Sequence, residues 1–190
     1  QSIKKLSDTL KKAAFSDCDY RLLSSDAPVA IADMKTFDRT DKKNEGLYKD
    51  KAYKVIVADK AFDLGFYEEK QFKNGRSAKV KSKGTLRQRI IVTFSRKMME
   101  YQRHIRGRQI ERARKLLAGL DPETYKKSPH DVTRFIKRIS TTKSGEKVTD
   151  RYEIDETIIA EEEKYDGFYA VATNLDDPAK DILDISSTRY

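Results

Sequence analysis

The sequence predicts an α+β fold. Two short β-branched runs, at 53–58 and 86–94, read as buried strands. One long amphipathic helix follows at 96–118. Strands and helices then alternate without the rhythm of a doubly wound parallel sheet. The 190 residues suit one ordinary domain, or one with a small appendage. Charged residues make up 37% and apolar residues 37%, which predicts a thin core beneath a charged surface. With 10 Tyr and 8 Phe, the chain is too aromatic for full disorder.

Each element has a local reason. Ile3, Leu6, Leu10 and Ala13 recur at helical spacing, so Ser2–Ala14 is expected as a helix. Residues 16–51 are polar and irregular, and short elements and loops are expected there. Tyr53–Ala58 is apolar and β-branched. The run Phe62, Leu64, Phe66 and Tyr67 leads to the turn Lys73-Asn74-Gly75, and Asn-Gly accepts the positive φ of a tight hairpin. Ser77–Ser82 alternates lysine with small or apolar residues, as an exposed strand does, and Leu86–Phe94 is a second strong strand.

Ser95 is placed to cap the helix from Arg96 to about Ala118, with Met98, Tyr101, Ile105, Ala113, Leu116 and Leu117 as its apolar positions. Gly107 weakens its middle. Arg134–Ser140 and Val148–Ile154 are expected as a hairpin about Lys143-Ser144-Gly145-Glu146. Asp155 caps a short helix to Glu163. Asp166-Gly167 turns into the strand Phe168–Thr173. Asp177-Pro178 then starts a helix with Ile182 and Ile185 on its inner side.

Composition excludes several classes. The apolar runs are too short to span a membrane, and no secretory leader opens the chain. The lone Cys18 can form neither an internal disulfide nor a cysteine zinc site, so the cytoplasm is the expected compartment. The chain opens on Gln1 and stops within an expected helix, and is read as a fragment of a longer protein.

The net charge of +9 is concentrated. Residues 76–115 hold 14 Lys/Arg against 2 Asp/Glu, or +12, while 116–190 hold 11 against 16, or −5. A block that basic points to a polyanion, above all a phosphate backbone. The plainer reading is a solvated face balanced by the acidic third of the chain. Arg103, Arg106, Arg108, Arg112, Arg114 and Lys115 of the long helix are the candidate phosphate contacts.

No phosphate-binding glycine loop, zinc signature or nucleophile elbow occurs. His104 and His130 lie far apart, and His104 reads as a surface residue. Val55-Ile56-Val57-Ala58-Asp59 reads as an apolar strand ending in a carboxylate. Two-metal nucleases hold Mg²⁺ with acids in such places, which makes Asp59 a candidate metal ligand; strand-end aspartates also serve as turn formers.

The C-terminal run is more specific. Tyr165-Asp166-Gly167-Phe168-Tyr169-Ala170-Val171-Ala172-Thr173-Asn174 is followed by Asp181-Ile182-Leu183-Asp184-Ile185 and Ser187-Thr188-Arg189-Tyr190. This resembles the closing part of bacterial insertion-sequence transposases of the DDE type, where such a strand leads into a helix. In that family the helix carries a Tyr, an Arg and a metal-binding Glu. Arg189 matches the arginine, Ser186 stands where the family has tyrosine, and the glutamate would fall beyond Tyr190. Leu86–Ser95 followed by Arg106, Gln109, Ile110, Glu111, Arg112 and Ala113 resembles a second pattern of the same family. The likeness is good over 86–190 and weaker over 1–85.

The resemblance implies an RNase H-like catalytic core interrupted by a β-rich, basic insertion. On it, 1–15 is a helix leaving the core, 16–164 the insertion, and 165–190 the return to the core. It implies cut-and-paste transposition by Mg²⁺-dependent cleavage and strand transfer at transposon ends and target DNA, by an intact enzyme expected to be a homodimer. The family's two aspartates would precede Gln1, so no catalytic acid or metal site is expected in this segment, which weighs against Asp59. Arg189 joins the expected DNA contacts. Two alternatives stay open: a non-catalytic nucleic-acid-binding module, and an interaction domain whose basic helix meets an acidic protein.

Overall fold

The structure is a computed structural model that describes residues 3–119, 126–141 and 149–188. It is mixed α and β, in agreement with the expected class. In chain order the elements are α1 (Asp8–Phe15), β1 (Arg21–Leu22), α2 (Ile31–Thr36), α3 (Glu45–Lys49), β2 (Ala52–Gln71), β3 (Ser77–Phe94), α4 (Arg96–Ala118), β4 (Ile136–Thr141), β5 (Thr149–Ile154), α5 (Glu156–Glu163), β6 (Phe168–Thr173) and α6 (Ala179–Ser187). They form two compact units. One runs to Phe94 and resumes at Tyr169; the other is Ser95–Phe168. Strands β2 and β3 share one hydrogen-bonded sheet with β6.

The first unit is built on a sheet of order β1-β2-β3-β6. The expected helix 2–14 is divided: a 3₁₀ turn covers Ile3–Lys5, and Ser7 restarts the chain by accepting from the Leu10 amide at the head of α1. The inner end of β3 is buried on both faces. Ile90, Val92 and Phe94 alternate with Ile91, and α6 packs Ala179 and Ile182 against Ile91. Leu183 joins that cluster, whereas Ile185 is 53% exposed and does not form the inner stripe. Pro178, rather than Asp177, occupies the cap position of α6.

The two expected strands at 77–82 and 86–94 are one strand, β3. It pairs with β2 from Ala52↔Phe94 out to Gln71↔Ser77. Beyond the core this pair becomes a two-stranded ribbon whose residues are mostly exposed, with Ser82 buried. At about 3.4 Å per residue, the 20 residues of β2 span about 65 Å. Gly75, at φ +74°, makes the expected turn. A bulge between Asp63 and Tyr67 carries a second positive-φ glycine, Gly65, whose amide Asp63 accepts. Gly84 leaves room for its cross-strand partner: a Cβ there would lie 2.7 Å from the Phe62 ring.

Tyr20 is fully buried, and its hydroxyl donates to the Ala14 carbonyl at 2.6 Å. The Lys54 ammonium lies 4.7 Å from its ring centroid and donates to the carbonyls of Ser16 and Cys18. Burial first, and the Asp17 carboxylate second, push the Tyr20 phenol well above its ordinary value. The unfolded chain therefore loses this proton first. Stability is fully present below about pH 10 and falls as pH rises beyond it. Tyr20→Phe is expected to cost about 1 kcal/mol at neutral pH. It should also flatten the alkaline loss, as read from urea midpoints across that range.

The second unit packs α4, β4, β5 and α5. Its core is Ala113, Phe135, Ile136 and Ile159, with Ile110, Leu117, Val132, Tyr152, Ile154 and Ile158 around them. A 3₁₀ turn at Val132–Phe135 replaces the first residues of the expected strand, and β4 pairs with β5 from Ile136↔Ile154 to Thr141↔Thr149. The expected turn at 143–146 lies outside the described residues.

Candidate nucleic-acid interface

Helix α4 runs unbroken from Arg96 to Ala118, with the Ser95 hydroxyl accepting from the Met98 amide at its start. Gly107 does not interrupt it, since the position is exposed and open. The buried residues are Met99, Arg106 and Ala113. Half-buried Gln102, Gln109, Ile110 and Leu117 complete that side. Tyr101 and Leu116, expected inside, are 60% and 43% exposed. The inner stripe thus runs along a different line from the apolar one, and polar residues occupy its middle.

Those polar residues make specific bonds. The Arg106 guanidinium donates to both Asp166 carboxylate oxygens at 2.7 and 2.6 Å, and to Glu163 at 3.4 Å. Both Arg106 and Asp166 are buried. The Asp166 hydrogen bond leads in holding the guanidinium above its usual pKa. Gln102 accepts from the Gly167 amide at 2.7 Å, and Gln109 accepts from Arg134, which also pairs with Glu162. The inner face of α4 therefore fastens the end of α5 and the turn into β6.

This corrects one expected DNA contact: Arg106 is buried in a bidentate pair and cannot reach a phosphate. Two more are engaged at the flank. Arg103 approaches Asp166 at 3.5 Å, and Arg114 pairs with Glu111 at 2.9 Å. Arg189 lies outside the described residues.

Arg108, Arg112 and Lys115 are exposed and make no ion pair among the described residues. At 100° per residue they fall on the side opposite Arg106, in line with exposed Lys97, Tyr101 and His104. The outer stripe is therefore Lys97, Tyr101, His104, Arg108, Arg112 and Lys115, about 27 Å from end to end. Sequence reasoning placed His104 on the surface but missed Lys97 and Tyr101 as members. Their spacing of three and four residues was the available signal.

Asp59 does not end a strand. It lies within β2, exposed, opposite Arg87 in the register. Among the described residues no group of three or more His, Cys, Asp or Glu could hold a metal ion. Among the same residues no helix is long and apolar enough to cross a membrane. The chain matches no protein-family model, no curated protein and no solved structure.

Proposed function

We propose that the chain is the insertion-bearing segment of a DDE-type DNA transposase, and that the outer stripe of α4 lies along a DNA backbone. The observation that carries the DNA reading is that stripe. It has four exposed cations on one straight face, opposite the inner side where Asp166 and Glu163 engage Arg106 and Arg103. Lys and Arg so arranged neutralise phosphates and fix register without reading bases.

The transposase reading is supported by Arg106 bonding Asp166. These residues belong to the two separate sequence patterns that resemble the family, and in the fold they form one constellation. On this reading β6 and α6 are the return to an RNase H-like core. The Mg²⁺ of the intact enzyme would be held by acids outside these 190 residues. Asp59 lies opposite Arg87 and belongs to no metal-holding group of acids among the described residues, so it does not fit a metal.

The test is binding of the 190-residue chain to duplex DNA as salt is varied. Four α4 contacts give a log–log slope of about −3.6, or steeper where other contacts add to it. Unrelated sequences should bind alike. Mg²⁺ should bring no nicking. A flat slope, or retention on an acidic protein but not on DNA, overturns the DNA reading. Metal-dependent nicking abolished by Asp59→Asn would return the active site to this segment.

A further inference from the structure

We propose that a pocket at the root of the β2–β3 ribbon, between Arg87 and Arg89, seats a phosphate of a DNA backbone, and that Lys79 and Lys83 carry the same strand outward along one ribbon face. This rests on the DNA reading above but uses different residues, in the other compact unit.

Strand β3 has a cation at 79, 81, 83, 87 and 89. Alternate residues of a strand share a face, so all five line one side of the ribbon at about 6.8 Å per step. That step is two axial rises of a DNA strand, about 3.4 Å each. A two-stranded ribbon is also narrow enough for the major groove.

Lysines on exposed strands also keep edges from pairing, so the row alone does not define a site. The pocket is the second observation. It is a cavity of about 300 Å³, lined by Val57, Arg87, Gln88, Arg89, Asn174 and Asp176. Arg89 donates to the carbonyls of Leu175 and Asp177 at 3.2 and 2.8 Å. Its guanidinium is thus held in place by neutral oxygens and keeps its net charge. Arg87 is exposed two residues away, and Gln88 and Asn174 add amides. Two fixed or nearby guanidiniums and two amides make a donor set for a phosphate.

The carboxylates nearby are fewer than the cations. Asp176 lines the pocket, Asp59 faces Arg87 and Glu69 faces Lys79; Asp63 faces Lys83 in the register but takes Lys81 in its ion pair. Lys81 is therefore left out of the proposed track. Tyr67, 63% exposed and opposite Lys81, offers an aromatic surface on the same face.

The test uses the whole chain and duplex DNA over a range of salt. Lys79→Gln with Lys83→Gln and Arg87→Gln should flatten the log–log slope by about 2.7, three contacts' worth. Arg87→Gln alone should remove about 0.9. Lys60→Gln with Lys70→Gln, on the opposite ribbon face, should leave the slope close to that of the unaltered chain. All these positions are exposed, and melting temperatures should stay together. An unchanged slope in the 79/83/87 variant overturns the ribbon site. So does an equal flattening in the 60/70 variant, which would mean diffuse attraction. Either result leaves α4 standing if Arg108→Gln with Arg112→Gln and Lys115→Gln still flattens the slope. Failure of the unaltered chain to bind DNA overturns both.

Discussion

Arg106→Ala is expected to lower the unfolding free energy by about 3–5 kcal/mol, the cost of leaving one partner of a buried ion pair uncompensated. Asp166 accepts both of its short hydrogen bonds from Arg106, and it sits in the turn that leads from α5 into β6. Removing the guanidinium leaves that carboxylate buried, with Arg103 at 3.5 Å as the nearest cation to meet it. The double change Arg106→Met with Asp166→Leu should recover much of the loss, because neither charge is then taken out of water. Urea unfolding followed by circular dichroism reads both. A loss no larger than that of Arg114→Ala, an exposed arginine paired with Glu111, would show that the buried pair contributes no more than a surface contact.

The largest functional effect is expected from Arg108→Gln with Arg112→Gln and Lys115→Gln. Three contacts removed at about 0.9 each flatten the salt slope by about 2.7 and weaken binding on the order of a few hundredfold at about 0.1 M salt. All DNA sequences should be affected alike, since phosphate contacts carry no base information. The chain should remain folded, because the three side chains are exposed and lie opposite the inner stripe. Arg103→Gln with Arg114→Gln should act less per residue. Both arginines are already drawn toward carboxylates, so part of their charge is met before DNA arrives. Equal losses per residue from the two sets would remove the distinction between stripe and flank.

Much of the fold is legible along the chain. The limits of α4 and β6 follow from their own residues: Ser95 caps, Gly167 turns at φ +80°, and the apolar run Phe168–Thr173 has no helical alternative of its length. The hairpin turn at Gly75 is equally local. Where periodicity misleads, a distant partner is the cause. Met98, Tyr101 and Leu116 have the hydrophobicity expected of an inner face. The inner face instead follows Gln102, Arg106 and Gln109, because Gly167, Asp166 and Arg134 supply their hydrogen bonds.

The site divides along the same line. Composition and charge blocks alone determine that residues 76–115 form a concentrated basic region and that the long helix carries much of it. Counting charges cannot tell a cation facing solvent from one facing a carboxylate some sixty positions away, as Arg106 faces Asp166. Nor can it show that β3 continues without a break from Ser77 to Phe94, which puts the lysines at 79 and 83 in line with Arg87. Local sequence sets helix ends, turns and the sign of the charge, because those depend on neighbours in the chain. Which cations remain available is decided by tertiary structure, because ion pairing and burial depend on groups brought close only by folding.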